Sequence, residues 1–336
     1  MQDLPAGNAS EHVAQMKKIL VTGIGGGVGQ GILRNLRGEQ FDIAIVGTNT
    51  AAISAGNHLC DAVHVVPYAY DPAYVQTINM IVERERIDLI IPSTDYETYY
   101  LMVAQDQIPA TIAASPADTS RMCLDKYLTA QHLSGHDLPF ARSSLPSDYT
   151  GGFGRIVVKP REGRGSRNIH IDPLDPRAFG DDYLVQEYLD GEEFTTAFYV
   201  RRDGTLHGLI TFVRELEQGN TARCEVVQSH DDELERMIRA LISKFAFRGS
   251  CNLQTRATAH GVIPFEINCR ISGTNSIRAQ FGFRDVAYTV QEYLYNQVPD
   301  APKITGGCAI RLMMDIIYPG LQLDHVSNRY DAFRIS

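Results

Sequence analysis

The chain has 336 residues, of which 44% are hydrophobic and 21% charged, and its formal charge is −9. Such a length predicts roughly two or three compact units with ample core, and such a composition is typical of a globular protein. The negative charge argues against a nucleic-acid-binding protein, which needs a basic face. No run of about 18 apolar residues occurs, so no membrane-spanning helix is predicted.

The cysteine spacing and the N-terminal residues predict the cellular compartment of the protein. Six cysteines are scattered without CxxC spacing, which predicts neither a zinc site nor a disulfide framework and favours a reducing, cytoplasmic location. Residues 1–16 are small and polar and lack the apolar core of a signal peptide. We therefore expect a disordered leader there.

Strand-like and helix-like segments alternate through residues 17–114. Strands are expected at 18–22, 41–47, 63–66 and 88–92, with a helix opened by GIGGGVGQG and a second helix at 73–86. This βαβ spacing predicts a Rossmann-like parallel sheet with helices on its faces.

The glycine-rich turn after the first strand does not fit a dinucleotide-binding fingerprint. The third glycine of GxGxxG would be residue 28, which is Val28, and the second strand ends in Thr48-Asn49 without the acidic residue that binds ribose. Gly25 and Gly26 instead predict either backbone N–H contacts to a substrate anion or simply a tight turn.

Polar side chains follow the strand at 88–92, namely Thr94, Asp95 and Glu97. Ligands of open α/β sheets bind beyond the carboxyl ends of strands, so these residues are candidate substrate contacts. A helix cap at Thr94 with acidic residues in the first turn is the alternative, and both roles are compatible.

The middle of the chain carries basic groups beside glycines. An apolar strand at 156–160 holds Lys159 near its end, and a loop with two glycines and three arginines follows at 161–167. Such a loop can fold its N–H groups over phosphates, with Lys159 as a point charge. It is not a Walker A loop, and a basic surface turn is the alternative. Lys126, taken alone, would be expected to be a surface lysine.

A hairpin at 249–273 supplies candidate metal ligands. If it pivots on His260, Gln254 falls opposite Glu266 with Cβ atoms about 5 Å apart. Asn268 shares the face of Glu266, and Arg270 lies just beyond. Oxygen ligands of this kind suit Mg²⁺ bound to substrate phosphates. A solvated polar hairpin is the alternative.

These motifs, in this order behind a βαβ domain, resemble the ATP-grasp superfamily. Within it the chain is similar to one synthetase unit of the carbamoyl-phosphate synthase large subunit and to related carboxylate–amine ligases, over about residues 17–296. The resemblance implies an α/β (α+β ATP-grasp) fold, with a Rossmann-like domain at 17–114, a two-lobed ATP-grasp domain at 115–304 whose lid spans about 140–188, and completing strands at 305–336.

The resemblance also implies roles for individual residues. Lys126 and Lys159 would hold the nucleotide phosphates, and Arg270 the γ-phosphate or acyl phosphate. Glu193 would accept the ribose hydroxyls. The loop over the phosphates would include Glu162, Gly163, Arg164, Gly165 and Ser166. The adenine linker, which needs a free backbone donor and acceptor, would be Gln186, Glu187, Tyr188 and Leu189.

The implied metal ligands are Gln254, Glu266 and Asn268, with Glu266 bridging two ions. Many relatives have an acidic residue where Gln254 stands, so one or two Mg²⁺ ions remain open, and Mn²⁺ is the alternative. Arg214, Arg223 and Ser272 are further candidate substrate contacts. The chain is too short for the two synthetase halves of a complete carbamoyl-phosphate synthase, so that whole reaction does not transfer.

The predicted function is an ATP-dependent ligase. A small-molecule carboxylate would attack the γ-phosphate of Mg-ATP, and an amine would displace phosphate from the acyl phosphate. Two alternatives stay open: phosphorylation of a carboxylate or carbamate with release of the product, and a non-catalytic ATP-sensing module. The sequence identifies neither substrate, and base rates favour a homodimer.

Overall fold

A five-stranded parallel sheet forms the N-terminal part of the computed structural model, which describes residues 16–163 and 168–336. Its order is β3-β2-β1-β4-β5. The strands are β1 Lys17–Val21, β2 Ile43–Asn49, β3 Ala62–Val65, β4 Leu89–Ile91 and β5 Thr111–Ile112; the helices are α1 Gly27–Gly38, α2 Tyr74–Glu85 and α3 Asp95–Val103. The predicted parallel-sheet domain is confirmed. The two-residue strand β5 is too short to be visible in the sequence.

Both faces of this sheet are covered, as its continuous apolar strands predict. Side chains alternate along β1, so that Ile19 and Val21 pack with α1 while Leu20 packs with α2 on the other face. Because the strands are parallel, the carboxyl ends of β1, β2 and β4 lie at one edge of the sheet, next to the glycine-rich turn and Thr94.

Two helices and a small antiparallel sheet follow. The helices are α4 Ala117–Leu124 and α5 Lys126–Ser134, and the strands are β6 Ser143–Ser144, β7 Ile156–Pro160, β8 His170–Ile171 and β9 Tyr183–Glu187. The sheet order is β6-β9-β7-β8. Lys159 is on the central strand β7, and Gln186 is on its neighbour β9.

A six-stranded antiparallel sheet forms the floor of the second lobe, in the order β14-β13-β10-β11-β12-β15. Its strands are β10 Glu192–Val200, β11 Leu206–Glu217, β12 Asn220–Val227, β13 Gly249–Thr258, β14 Gly261–Asn268 and β15 Cys308–Ile310; the helices of this part are α6 Asp231–Lys244, α7 Asn275–Arg278 and α8 Asp285–Thr289, the last running into a π-helical turn at Val290–Leu294. Leu234, Ile238 and Leu241 of α6 pack against this sheet.

The C-terminal residues add β15 to the sheet edge and form a separate hairpin, β16 Ile316–Ile317 and β17 Arg334–Ile335. The apolar run at 309–314 predicts a longer strand than the structure has. β15 ends at Ile310, and the side chains of Leu312 and Met313 are 77% and 93% exposed. Short 3₁₀ turns occur at Asn57–Leu59, Gln105–Gln107, Pro176–Ala178, Ala279–Phe281 and Leu323–His325. Within the described residues, no helix has the length and apolarity needed to cross a bilayer.

Helix α1 packs closely on α7 and so joins the N-terminal sheet to the second lobe. Asn275 is fully buried at this contact. Its side-chain amide donates to the carbonyls of Val28 (3.2 Å) and Ser272 (2.9 Å), and its oxygen accepts from Asn35 at 3.2 Å. Gly31 faces Asn275 without a side chain, which leaves the amide room to lie flat on α1.

Candidate active site

The β13–β14 hairpin pairs Gln254 with Glu266, as predicted, although the predicted pivot on His260 is wrong. Thr258 pairs with Gly261, so the turn is centred half a residue earlier. A β-bulge at Phe265 inserts one extra residue into β14 and restores the register at Gln254. The sequence carries a signal for it, because Val262 and Ile267 both enter the core although they are five positions apart and would lie on opposite faces of a regular strand.

The bulge aims a backbone carbonyl into the cleft. The carbonyl oxygen of Phe265 accepts from Lys159 Nζ at 3.4 Å and from Gln186 Nε2 at 3.5 Å. Beyond the bulge, Glu266, Asn268 and Arg270 share the cleft face, while Ile267 and Cys269 are buried in the core. The hairpin thus places its polar groups opposite Lys159.

Two buried lysines lie beside Glu266. Lys126 begins α5, and its Nζ donates to the carbonyls of Arg161 (3.5 Å) and Gly163 (3.4 Å). Burial, together with the charge of Lys126, lowers the pKa of Lys159 to about 8, although Glu266 and Glu193 oppose the change. Burial alone would raise the pKa of Glu266, but Lys126, Lys159, Asn268 and Arg270 outweigh it and the pKa is lowered. Glu266 is therefore an ionised carboxylate near pH 7.

The oxygen donors on this face fit a hard divalent cation. Glu266 Oε1 accepts from Asn268 Nδ2 at 3.3 Å, so one carboxylate and one amide lie side by side. Residues 16–163 and 168–336 hold no group of three or more His, Cys, Asp and Glu side chains that could bind a metal ion. A set with one carboxylate suits Mg²⁺, which takes further ligands from water and phosphate. The oxygen of Gln254 instead accepts from Arg214 Nη2 at 2.6 Å.

Glu193, predicted to bind ribose, is paired with two arginines. Its Oε1 lies 3.2 Å from Arg214 Nη2, and its Oε2 lies 3.1 Å from Arg256 Nη2. Arg256 was not among the predicted residues. Its position on β13, two residues from Gln254 and opposite Glu193, is the signal that could have found it.

The predicted adenine linker lies at the end of β9. Gln186 is buried and donates to Ser143 Oγ at 3.1 Å. Glu187 is held by Arg142, with 2.6 Å between Oε2 and Nε, and the N–H of Tyr188 donates to the Arg155 carbonyl at 2.9 Å. In the described part of the chain, no turn or loop hydrogen bond engages the backbone of Leu189. Leu189 borders the cleft.

The predicted phosphate-covering loop is described in part. Glu162 bonds to Arg121 at 2.5 Å, and the Gly163 carbonyl faces Lys126. Arg161 binds the α5 cap Asp125 through Nε (3.1 Å) and Nη2 (2.6 Å), which fixes the start of the loop. The other predicted members, Arg164, Gly165 and Ser166, lie outside the described residues.

The substrate contacts predicted in the N-terminal domain lie at the carboxyl edge of the parallel sheet. Thr94 caps α3 by accepting from the N–H of Glu97 at 3.2 Å, which confirms the capping role. Thr94, Asp95, Glu97 and Gly26 all line the cleft. The Gly25 carbonyl accepts from Gln30 at 3.0 Å, so this glycine serves the turn.

Of the remaining predicted substrate contacts, Ser272 borders the cleft and Arg223 does not. Ser272 lines the cleft and donates to Asn252 at 3.1 Å while accepting from Arg278 at 2.8 Å. Arg223 does not border the cleft and pairs with exposed Glu215 at 2.7 Å. The register explains why: Arg214 pairs with Cys224, so Arg223 points to the opposite face of the sheet.

Most of these groups, but not Gly25 or Arg223, border one cleft of about 1360 Å³ between the parallel sheet and the two later lobes. Several lining residues were not predicted, among them Tyr68 and Tyr70, whose rings stack with centroids 5.4 Å apart, and Arg311 from the C-terminal segment. Loop and tail residues such as these carry no periodic pattern that would reveal them.

Two family models match the chain. Residues 180–316 match the model described as ATP-grasp in the biosynthetic pathway with Ter operon, and residues 19–112 match the PylC-like N-terminal domain. The chain has the ATP-grasp fold. No curated protein matches it significantly in sequence.

Solved ATP-grasp structures resemble the chain at low identity. N5-carboxyaminoimidazole synthetase from Staphylococcus aureus with ADP has a TM-score of 0.72 at 10% identity, covering 88% of this chain and 82% of that one. The biotin carboxylase domain of Hydrogenobacter thermophilus 2-oxoglutarate carboxylase, with MgADP and bicarbonate, gives 0.66 at 13%, covering 85% and 71%. L-amino acid ligase from Bacillus licheniformis gives 0.64 at 13%, covering 83% and 74%. At such identities the likeness is one of fold.

Proposed function

We propose that the protein is an ATP-dependent ligase that joins a carboxylate to an amine through an acyl phosphate, converting Mg-ATP to ADP and phosphate. The observation that carries this proposal is the cluster of Lys126, Lys159 and ionised Glu266 in one cleft. Two buried cations beside one carboxylate suit a triphosphate with its metal ion, because the lysines neutralise phosphate oxygens and the carboxylate binds the cation.

Each end of the nucleotide has candidate partners. Leu189 offers its backbone to the adenine edge, and Val157 and Ile171 are apolar residues in the same cleft. Glu266 and Asn268 would hold Mg²⁺, with Gln254 a further candidate ligand once its amide is released from Arg214. Bound there, Mg²⁺ would neutralise charge that develops on the phosphate oxygens.

The protein groups supply position and charge more than proton transfer. Lys159 and Lys126 bind phosphate oxygens, and Arg270 donates N–H groups to the phosphoryl group as it moves to the carboxylate. The amine then attacks the acyl phosphate at the sheet edge where Gly26, Thr94 and Glu97 lie. Such chemistry needs no protein base for phosphoryl transfer, because a carboxylate is already a nucleophile.

The names of the structural neighbours support this class of reaction. One is a synthetase in complex with ADP, one is a carboxylase domain with MgADP and bicarbonate, and one is an amino acid ligase. The bicarbonate complex also favours a second candidate, in which this cleft phosphorylates bicarbonate or a carbamate. Bicarbonate therefore belongs among the acids that are tested first.

The test is a screen for ADP release with paired carboxylates and amines, followed by mass spectrometry of the products. We expect ADP and a condensed product to form together from one acid–amine pair. Glu266→Gln should reduce ADP release roughly a hundredfold, while Arg223→Gln is the matched control because Arg223 lies outside the cleft. Acid hydroxamate formation with hydroxylamine, without consumption of an amine, would favour release of the phosphorylated product. ATP binding without ADP release across the screen would contradict catalysis.

A further inference from the structure

One ion pair crosses from the parallel-sheet domain into the ATP-grasp hairpin at the cleft. Asp95 begins α3, and Arg270 follows β14. Asp95 Oδ2 accepts from Arg270 Nη2 at 2.8 Å and from Nε at 3.0 Å. Both side chains are mostly buried, with 11% and 14% of their surfaces exposed. Arg270 is thus oriented by a residue of another domain, 175 positions away in the chain.

The pair leaves part of the guanidinium available. Arginine has five N–H donors in a planar fork. Asp95 takes one on Nε and one on Nη2, and the Ile271 carbonyl takes one on Nη1 at 3.2 Å. Among the described residues, one N–H therefore remains without an acceptor on each terminal nitrogen. Two such donors in a fixed plane match two oxygens of a phosphoryl group.

The carboxylate of Asp95 is not arranged for its own stability. Oδ1 is buried and accepts no hydrogen bond from the described residues, although burying an unsatisfied charged oxygen is unfavourable. By contrast, the fully buried Asp285 uses both oxygens on Arg278. The position of Asp95 at the N-terminus of α3 helps to hold its negative charge there. Instead, Asp95 accepts two N–H donors of Arg270, one on Nε and one on Nη2.

We propose that Asp95 is a positioning residue for Arg270, holding its two remaining N–H donors toward the γ-phosphate. This inference rests on the proposed function, which gives Arg270 the γ-phosphate. A lone arginine would sample many rotamers, and phosphate binding would have to order it. With Asp95 in place the guanidinium is already ordered before the nucleotide binds. The parallel-sheet domain, which carries the predicted substrate contacts Thr94 and Glu97, thereby orients the arginine that would bind the transferred phosphate.

The test compares two nucleotides by calorimetry: MgADP, which lacks a γ-phosphate, and Mg-β,γ-imido-ATP, which has one. For Asp95→Asn we expect the Kd for the imido analogue to rise roughly tenfold relative to that for MgADP, which is about the effect of weakening one charge-assisted hydrogen bond. Arg270→Gln should show the same selective loss. Asp95→Asn should add nothing further in the Arg270→Gln background.

A matched control separates positioning from domain docking. Glu39 and Arg284 form another carboxylate–arginine pair between the two domains, outside the cleft. Glu39→Gln should leave the Kd ratio unchanged. Asp95→Glu, which keeps the charge on a longer side chain, should give an intermediate ratio and serves equally if the asparagine variant does not fold.

Several outcomes would overturn the proposal. They are an equal loss for both nucleotides, an unchanged ratio, additive effects of Asp95→Asn and Arg270→Gln, or tighter binding of the imido analogue, which would make Asp95 a competitor of phosphate. Wild-type protein that binds neither nucleotide would overturn the proposed function as well. The measurement needs no acid or amine, so a failed ligase screen and a failed positioning test are separate results.

Discussion

Replacing Gly31 with alanine tests how α1 is docked on the second lobe. A Cβ at this position would lie 2.7 Å from Nδ2 and 2.8 Å from Cγ of Asn275. Real Cβ atoms do not approach so closely, so either the amide or the helix must move. The Asn275 amide cannot move freely, because it is fully buried and bonds to Val28, Ser272 and Asn35.

The expected cost follows from opposing contributions. Alanine is better than glycine inside a helix by about 1 kcal/mol. Overpacking a closely fitted contact costs typically about 1–3 kcal/mol, and each hydrogen bond lost from Asn275 costs about 1 kcal/mol more. The clash outweighs the helix gain if even one bond breaks. We therefore expect Gly31→Ala to lower the free energy of unfolding by about 2 kcal/mol.

Gly38→Ala is the matched control on the same helix. A Cβ at Gly38 would meet no neighbouring atom of the described residues within 4 Å, so only the helix propensity acts and stability should stay equal or rise by up to about 1 kcal/mol. Urea unfolding followed by circular dichroism measures both variants. If Gly31→Ala is as stable as Gly38→Ala, the close packing of α1 on Asn275 is wrong.

Three further predictions concern the cleft and its support. Glu266→Gln should reduce turnover roughly a hundredfold, because it removes about 3 kcal/mol of transition-state stabilisation, and should leave the circular dichroism spectrum unchanged; wild-type turnover would contradict the metal-binding role. Nucleotide affinity should fall as pH rises through the Lys159 pKa of about 8, because the neutral amine no longer attracts phosphate, and Lys159→Arg should remove this dependence in calorimetry at pH 7 and 9. Arg278→Met should cost about 3–5 kcal/mol in urea unfolding, since it leaves Asp285 buried without its partner; a loss below about 1 kcal/mol, as expected for the exposed Arg223→Met, would refute this.

Periodic patterns and local turn chemistry are the parts of the fold that the sequence predicts well. The alternation of strands and helices through residue 112 is present, with strand bounds that differ by a few residues. Strand alternation also placed Glu266 and Asn268 together, because side-chain direction follows directly from the extended backbone. The Thr94 cap is likewise local, since the bond to Glu97 spans three residues.

Long-range pairs could not be predicted, because no local pattern encodes them. Asp95 was a candidate substrate contact on the basis of its position after a strand, and its bond to Arg270 depends on how two domains meet. Arg223 and Arg214 looked equivalent in the sequence. The register shift between Glu215 and Leu216 sends them to opposite faces of the sheet, and composition alone does not encode such a shift.

The bulge at Phe265 shows how one residue determines the site. Without it, β14 would continue the register set by Thr258 and Gly261, and Glu266 would share the face of Val262 in the core. A buried carboxylate among apolar side chains is strongly unfavourable, so the sequence is compatible only with a hairpin that changes parity between Val262 and Ile267. The same extra residue turns the Phe265 carbonyl toward Lys159 and Gln186. The carboxylate of the proposed metal site and the carbonyl that accepts from the proposed phosphate-binding Lys159 therefore both arise from a single irregularity in β14.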